Sequence, residues 1–240
     1  LQNICWQDNS SALQTTLRYF NFENVGNIHW VDSVILHGAG GGFNITGTQY
    51  LTIKNLKIFV HGNAMPSNHA LFSIGNPDLP FVILHTSIFN VKIACITHDE
   101  LILDSFFQFF RHELLEMSNI EFNSCNVRRS LNPPFLILVA RNLSVSNFSV
   151  SDINVNVTED YTNDMSILLT ASSNVSISNA TIERLWVSPH SLGKGKSFAV
   201  FHFYNGDVIP LVYFSLTDII FHNSSILGYG SIVHFDNQFR

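Results

Sequence analysis

Apolar and polar residues alternate along most of the chain, and the alternation repeatedly changes phase at an Asn or Asp. Two alternating apolar positions precede that residue, one apolar position follows it directly, and another comes two places later. Leu51-Thr-Ile53-Lys-Asn55-Leu56-Lys-Ile58, Leu115-Glu-Met117-Ser-Asn119-Ile120-Glu-Phe122, Leu143-Ser-Val145-Ser-Asn147-Phe148-Ser-Val150 and Val175-Ser-Ile177-Ser-Asn179-Ala180-Thr-Ile182 are the best copies. Period-2 alternation predicts a strand on each side, and a residue that tolerates left-handed backbone angles predicts that the strand bends there. The template centres on Asn21, Asn55, Asn90, Asn119, Asn147, Asn179 and Asp218, although Asn24 occupies the last apolar place of the first copy.

A second apolar strand recurs upstream of each template. It starts at Asn3, Ser33, His69, Glu100, Pro134, Ser166 and Ser197, and an eighth copy starts at Ser231. The starts fall roughly 30 to 36 residues apart, which is the signature of a stacked repeat. The expected fold is all-β: a single right-handed parallel β-helix of about seven three-strand coils over residues 1–240, stacked at the parallel strand spacing to a height of about 34 Å. The Asn column is read as an internal ladder of buried amides that satisfy one another coil over coil.

The stretch Val34-Ile-Leu-His-Gly-Ala-Gly-Gly-Gly-Phe-Asn-Ile-Thr-Gly-Thr-Gln-Tyr-Leu-Thr-Ile-Lys-Asn-Leu-Lys-Ile58 resembles an early coil of the pectin-lyase-like β-helix superfamily, in its glycine-rich turn and its Ile-x-Asn-Leu-x-Ile bend. The resemblance implies that fold, with an internal Asn ladder. It also implies a polysaccharide lyase or hydrolase as one functional class, with acids, bases and metal ligands on the outer face of the first strand column. A fold alone does not specify an activity.

With alternate residues pointing outward, that face has a second-place column of Cys5, Ile35, Leu71, Ile102, Leu136, Leu168, Ala199 and Val233. Its fourth-place column is Gln7, His37, Ser73, Asp104, Leu138, Thr170, Phe201 and Phe235. One carboxylate does not make the pair that glycoside hydrolysis needs, nor the acidic cluster that binds calcium in lyases. His37, Ser73 and Asp104 on successive coils suggest a triad, but the hydroxyl rather than the imidazole would sit in the middle. No catalytic residue, metal site or cofactor is therefore assigned. Loop acids Asp152, Glu159, Asp160 and Asp164 are left as the residues through which an enzyme would work. The apolar outer stripe is expected to be covered by the chain's own loops or by another subunit.

Other motifs carry little chemistry. Gly38-Ala-Gly-Gly-Gly42 runs into Phe43 and a strand, so it reads as a turn and not a dinucleotide site. His190 stands where a phosphate loop ending at Gly195-Lys196-Ser197 needs its first glycine. His112-Glu113-Leu-Leu-Glu116 lacks the second histidine of a zinc protease helix. His85, His202, His222 and His234 are scattered through strands and read as satisfied structural residues.

Composition narrows the partners. Charged residues are 12% of the chain and the net charge is −6, so no basic surface exists to neutralise phosphates, and nucleic acid is not an expected partner. No apolar run approaches the roughly 20 residues of a membrane span. The chain opens on Leu1 without a basic-then-apolar leader and reads as a mature or partial piece of a longer protein.

Asn-x-Ser/Thr triplets mark Asn9, Asn44, Asn142, Asn156, Asn174 and Asn223 as candidate glycan acceptors, which implies the secretory pathway of a eukaryote. The triplets at Asn147 and Asn179 are set aside because a buried ladder amide cannot be reached. Cys95 and Cys125 follow their ladder residues by similar intervals on adjacent coils and are candidates for a disulfide, while Cys5 reads as a buried thiol. The functional expectation is an extracellular, N-glycosylated structural or adhesive β-helix that self-associates end to end or through its apolar face. A carbohydrate-active enzyme, or a glycan-binding module using Trp186, is the alternative.

Overall fold

The computed structural model describes residues 1–2, 5–7, 19–37, 42–60, 70–76, 82–96, 101–103, 105–130, 133–155, 165–188, 197–205, 210–227 and 230–237. Among these residues every regular element is a β-strand and every strand pairing is parallel. The strands are β1 (Cys5–Gln7), β2 (Tyr19–Glu23), β3 (Asn27–His37), β4 (Gly42–Thr46), β5 (Tyr50–Val60), β6 (Phe72–Ile74), β7 (Ile83–Cys95) and β8 (Leu101–Leu103). They continue with β9 (Phe107–Ser130), β10 (Phe135–Val155), β11 (Met165–Val187), β12 (Phe198–Asn205), β13 (Tyr213–His222), β14 (Ser225–Ile226) and β15 (Gly230–Asn237).

The chain winds as a parallel β-solenoid. About four successive turns open at Phe107, Phe135, Met165 and Phe198. Two columns of strands stack side by side. One runs β2, β4, β6 and on into the first halves of β9, β10 and β11, then β12 and β15. The other runs β3, β5, β7, the second halves of β9, β10 and β11, and β13.

Corners are set by residues in the left-handed region, and they too are stacked. The first corner column is Asp32, Asn55, Asn90, Asn119, Asn147, Asn179 and Asp218, all with φ between 52° and 55°. A second corner lies five residues later at Ser124, Asp152, Arg184 and Asn223. A third separates the two strand columns at Asn24, Gly47, Gly75, Arg111 and Val139. Asn and Asp bear this conformation most easily among residues with a Cβ. Gly75 is doubly constrained: its φ is +88°, and a Cβ there would lie 2.1 Å from the Phe110 carbonyl oxygen. Val139 has φ 66° at the place where β10 carries one residue more than β11, between Leu138 and Ala140, so a β-branched side chain sits on a bulge.

Inside the winding, apolar residues lie directly above one another. Phe43, Phe72, Phe107 and Phe135 form a near-parallel aromatic stack, which the half-exposed Phe20 extends at one end, with ring centroids 5.0–6.0 Å apart. Leu168, Phe201 and Val233 continue the same register. Each ring pair adds about 0.5–1.5 kcal/mol beyond its burial. Beside the second column, Ile53, Ile88, Met117, Val145 and Ile177 form an equally regular aliphatic stack.

Several sequence expectations need correction. The first bend is Asp32, not Asn21; Asn21 lies within β2 opposite Asn44. Asp reaches left-handed angles as Asn does, and Ile28 and Trp30 supply the buried alternation ahead of it. Ser33–Leu36 and Leu101–Leu103 are not first-column strands: the former pairs with Leu56–Phe59 beyond the bend, and the latter with the end of β9. Alternation identifies a strand but not the column it joins. Of the apolar stripe, Ile35, Leu71, Leu168 and Ala199 are buried within this single chain, while Leu136 and Val233 are half-buried. Cys5 is exposed rather than buried.

Cys95 and Cys125 are joined by a disulfide, with Cα atoms 5.0 Å apart across 30 residues. The bond ties β7 to β9, one turn to the next.

Two outcomes follow. Val139→Asn should raise the thermal unfolding midpoint, by an amount equivalent to about 1 kcal/mol of relieved backbone strain; an unchanged or lower midpoint would contradict the assignment of strain. Cys95→Ser with Cys125→Ser should lower stability by about 3–4 kcal/mol on the loop-entropy argument, measured by urea denaturation against the oxidised protein.

Candidate functional site

The bend residues do not point into the core. Asn90, Asn119, Asn147, Asn179 and Asp218 are exposed, and Asn55 is half-buried. A left-handed residue adds one position between two inward-facing neighbours, so it stands at an outward corner while Ile53 and Leu56, for example, stay inside. The expected internal ladder is therefore an external row.

Its amides are ordered by one another in two runs. Asn90 Nδ2 donates to Asn55 Oδ1 at 2.7 Å, and Asn55 Nδ2 to Asp32 Oδ1 at 2.7 Å. Asn179 donates to Asn147 at 2.5 Å, and Asn147 to Asn119 at 2.8 Å. The geometry is strand-spaced, since each corner sits one parallel strand above the last.

The second run borders a shallow groove of about 310 Å³, lined by Asn119, Asn147 and Asn179 on one side and Glu121, Ser149 and Thr181 on the other, with Phe148 at its floor. Glu121 is also held by Lys92 at 3.1 Å. Rows of amide and hydroxyl groups over an apolar floor can offer repeated hydrogen bonds to a polar, extended ligand.

The other corner column carries ion pairs. Asp152 is gripped by the Arg184 guanidinium through Nε at 2.5 Å and a second nitrogen at 2.9 Å, and Arg184 also meets Glu183. The hydrogen bonds from Arg184 hold the Asp152 carboxyl below the usual carboxylate range. Of the loop acids, Asp152 is thus tied to a structural partner, while Glu159, Asp160 and Asp164 lie outside the described residues.

Two histidine clusters were hidden in the strands. His85 Nε2 lies 2.7 Å from Glu116 and 2.9 Å from the Ser87 hydroxyl. A nucleophilic triad needs the acid on one ring nitrogen and the hydroxyl on the other, and here both meet the same nitrogen, so the group ties two adjacent turns together. His112 is buried between Thr86 and Phe109. Its Nε2 lies 3.4 Å from the Ile74 carbonyl and its Nδ1 lies 3.1 Å from the Thr86 hydroxyl, a pattern that a neutral imidazole satisfies at both ends. Burial pushes its pKa down to about 4, against a smaller opposing effect of the backbone hydrogen bond.

The suggested His37–Ser73–Asp104 column is not assembled. His37 pairs with Val60 beyond the bend, whereas Ser73 pairs with Asn44 and Gln108 in the first column. Asp104 lies outside the described residues, as do Gly38–Gly41, His190, Gly195 and Lys196. His112, Glu113 and Glu116 stand on a strand rather than a helix. Among the described residues no three His, Cys, Asp or Glu side chains converge as a metal site, and no helix is long and apolar enough to cross a membrane.

The candidate glycan acceptors differ in setting. Asn223 is exposed at a left-handed corner immediately after β13. Asn44 is half-buried in β4. Asn142 and Asn174 are half-buried and stacked, with Asn174 Nδ2 donating to Asn142 Oδ1 at 2.9 Å and Asn142 Nδ2 to the Glu113 carbonyl at 3.2 Å. Asn9 and Asn156 lie outside the described residues. Burial does not set Asn147 and Asn179 apart, since both are exposed; what engages their Nδ2 atoms is the amide row.

The second corner column was legible in part, because Asp152 and Asn223 each follow a first-corner residue by five places, but Arg184 gives no such signal. No protein-family model, no curated protein and no solved structure matches this chain.

The buried imidazole makes stability depend on pH. The folded pKa of His112 is lowered below the unfolded value, so its contribution is complete above about pH 6.5 and is lost as pH falls through the folded value near 4. The wild-type protein should lose on the order of 3 kcal/mol over that window, and His112→Gln should flatten this part of the profile. Equal acid sensitivity of the two proteins in urea titrations at pH 7 and pH 4.5 would refute it.

Proposed function

We propose that the chain is one continuous right-handed β-helix of the pectin-lyase-like kind, with about seven three-strand coils organised on the Asn corner row. It serves as an extracellular, N-glycosylated structural or adhesive subunit whose ends take part in assembly. The observation that carries this reading is the Cys95–Cys125 bond between neighbouring turns. Such cross-links persist in the oxidising secretory and extracellular compartments and are rare in the reducing cytosol. Support also comes from Asn223, whose exposed left-handed corner presents an acceptor amide on a surface turn. The many hydrogen bonds and ion pairs between adjacent turns suit a rod that presents surface rather than one that moves around a substrate.

A second reading, a glycan-binding module, is favoured by Trp186. Its side chain is half exposed on the outside of β11, between Asn154 and Ser225 in the neighbouring turns. An exposed indole flanked by polar side chains is a platform on which a sugar ring can stack.

Expression of the chain behind a secretion signal in eukaryotic cells tests the principal reading. The secreted protein should lose mass on treatment with an amidase that removes N-glycans, and Asn223→Gln should remove one glycan. A product that is secreted and folded with no mass change, or with Cys95 and Cys125 both free to alkylation, would overturn it. Weakened retention of Trp186→Ala on polysaccharide resins, relative to wild type, would favour the second reading.

A further inference from the structure

Two acceptor triplets meet in the groove. Asn147-Phe148-Ser149 and Asn179-Ala180-Thr181 supply five of its seven lining residues. The corner that builds the amide row also presents the triplet. Asn179 has φ 53°, so it stands outward while Ile177 and Ala180 stay in the core, and Thr181 is the next outward position. The amide and the hydroxyl that an acceptor triplet requires thus line two sides of one groove within a single turn.

The row leaves Asn179 a hydrogen to exchange. A side-chain amide carries two N–H donors. Asn179 Nδ2 commits one of them to Asn147 Oδ1 at 2.5 Å, and no other described residue takes the second. An N-linked sugar replaces one hydrogen only, so the row survives the modification. Asn147 is placed differently: its Nδ2 donates to Asn119 and its Oδ1 receives Asn179, so it has a bonded amide in the turn on either side. A sugar on Asn147 would be hemmed in by amides about 4.8 Å away on both sides, whereas Asn179 is the last amide of its run. Asn142 and Asn174 are half-buried, so a sugar on either would have to fit into partly covered space.

We propose that Asn179 carries an N-linked glycan whose innermost sugar lies along the groove beside Asn147, Ser149 and Thr181. The donor is an oligosaccharide held on a lipid pyrophosphate. In the transfer, the bond from the sugar's anomeric carbon to the pyrophosphate breaks and the same carbon bonds to Asn179 Nδ2. The pyrophosphate leaves with the electron pair, and the displaced amide proton passes to solvent. The triplet is modified as an extended chain, and the solenoid then winds with the sugar on its outside. Amide and hydroxyl groups of the wall meet the sugar's own hydroxyls as donors and acceptors. The proposal rests on the secretory reading above and deepens it, naming an acceptor that an internal ladder would have ruled out.

Site mapping tests it on the full chain secreted from eukaryotic cells, with glycans released by an amidase in heavy-oxygen water so that each occupied acceptor is labelled. The Asn179 peptide should carry the label, as should that of Asn223. Thr181→Ala should remove the Asn179 glycan alone and Thr181→Ser should keep it, since both variants leave the amide row and the core unchanged. On native protein the amidase should release the Asn223 glycan severalfold faster than the Asn179 glycan, and denaturation should abolish the difference. An unmodified Asn179 in protein glycosylated at Asn223 overturns the proposal and leaves the secretory reading standing. A secreted, folded product with no glycan anywhere overturns both. Equal release rates from native protein overturn the placement of the sugar in the groove.

Discussion

Everything regular in this molecule depends on one residue standing above the same kind of residue in the turn below. Parallel pairing repeats at one strand spacing, so any offset between turns would move a whole column of side chains to the other face. The corners hold that register. Asn119 and Ser124, Asn147 and Asp152, Asn179 and Arg184, and Asp218 and Asn223 repeat the same five-residue separation in four successive turns, so the strand between the corners keeps a constant length. Loops may differ in size, because the corners reset the phase after each one. The one shift in the pairing of β10 with β11, at Val139, is absorbed by a bulge before the next corner is reached.

Register also explains why similar side chains collect into columns. Inside, aromatic rings face aromatic rings at stacking distance. Outside, unlike charges meet across adjacent turns: Lys92 with Glu121, Arg141 with Glu113, Arg184 with Asp152. Exposed pairs of this kind contribute little to stability, so the core columns dominate and the surface pairs mainly favour one alignment over its neighbours. Buried polar groups follow the same logic. His112 is tolerated because Thr86 and the Ile74 carbonyl, each from a different strand, meet both of its ring nitrogens.

The winding was legible because the Asn template and its alternation are local: Asn55, Asn90, Asn119, Asn147, Asn179 and Asp218 all lie at corners. Three features were not legible from local pattern. Asn21 and Asp32 present equivalent local chemistry, and only the pairing of Ser33 with Leu56 decides between them. The direction in which the corner amides point depends on the extra residue at each bend, which alternation alone reads as a simple continuation of the inward face. The His85–Ser87–Glu116 group joins residues 29 and 31 positions apart, so it exists only once two turns are in register.

The disulfide gives the rod a mechanical asymmetry. Because Cys95 and Cys125 are one turn apart, tension applied to the two ends can peel strands from either side but cannot draw out the 30-residue circuit between them. About 100 Å of contour length is thereby withheld from extension. The protein would behave under load as two unwindable arms separated by a locked hoop, and a reductant would release that hidden length.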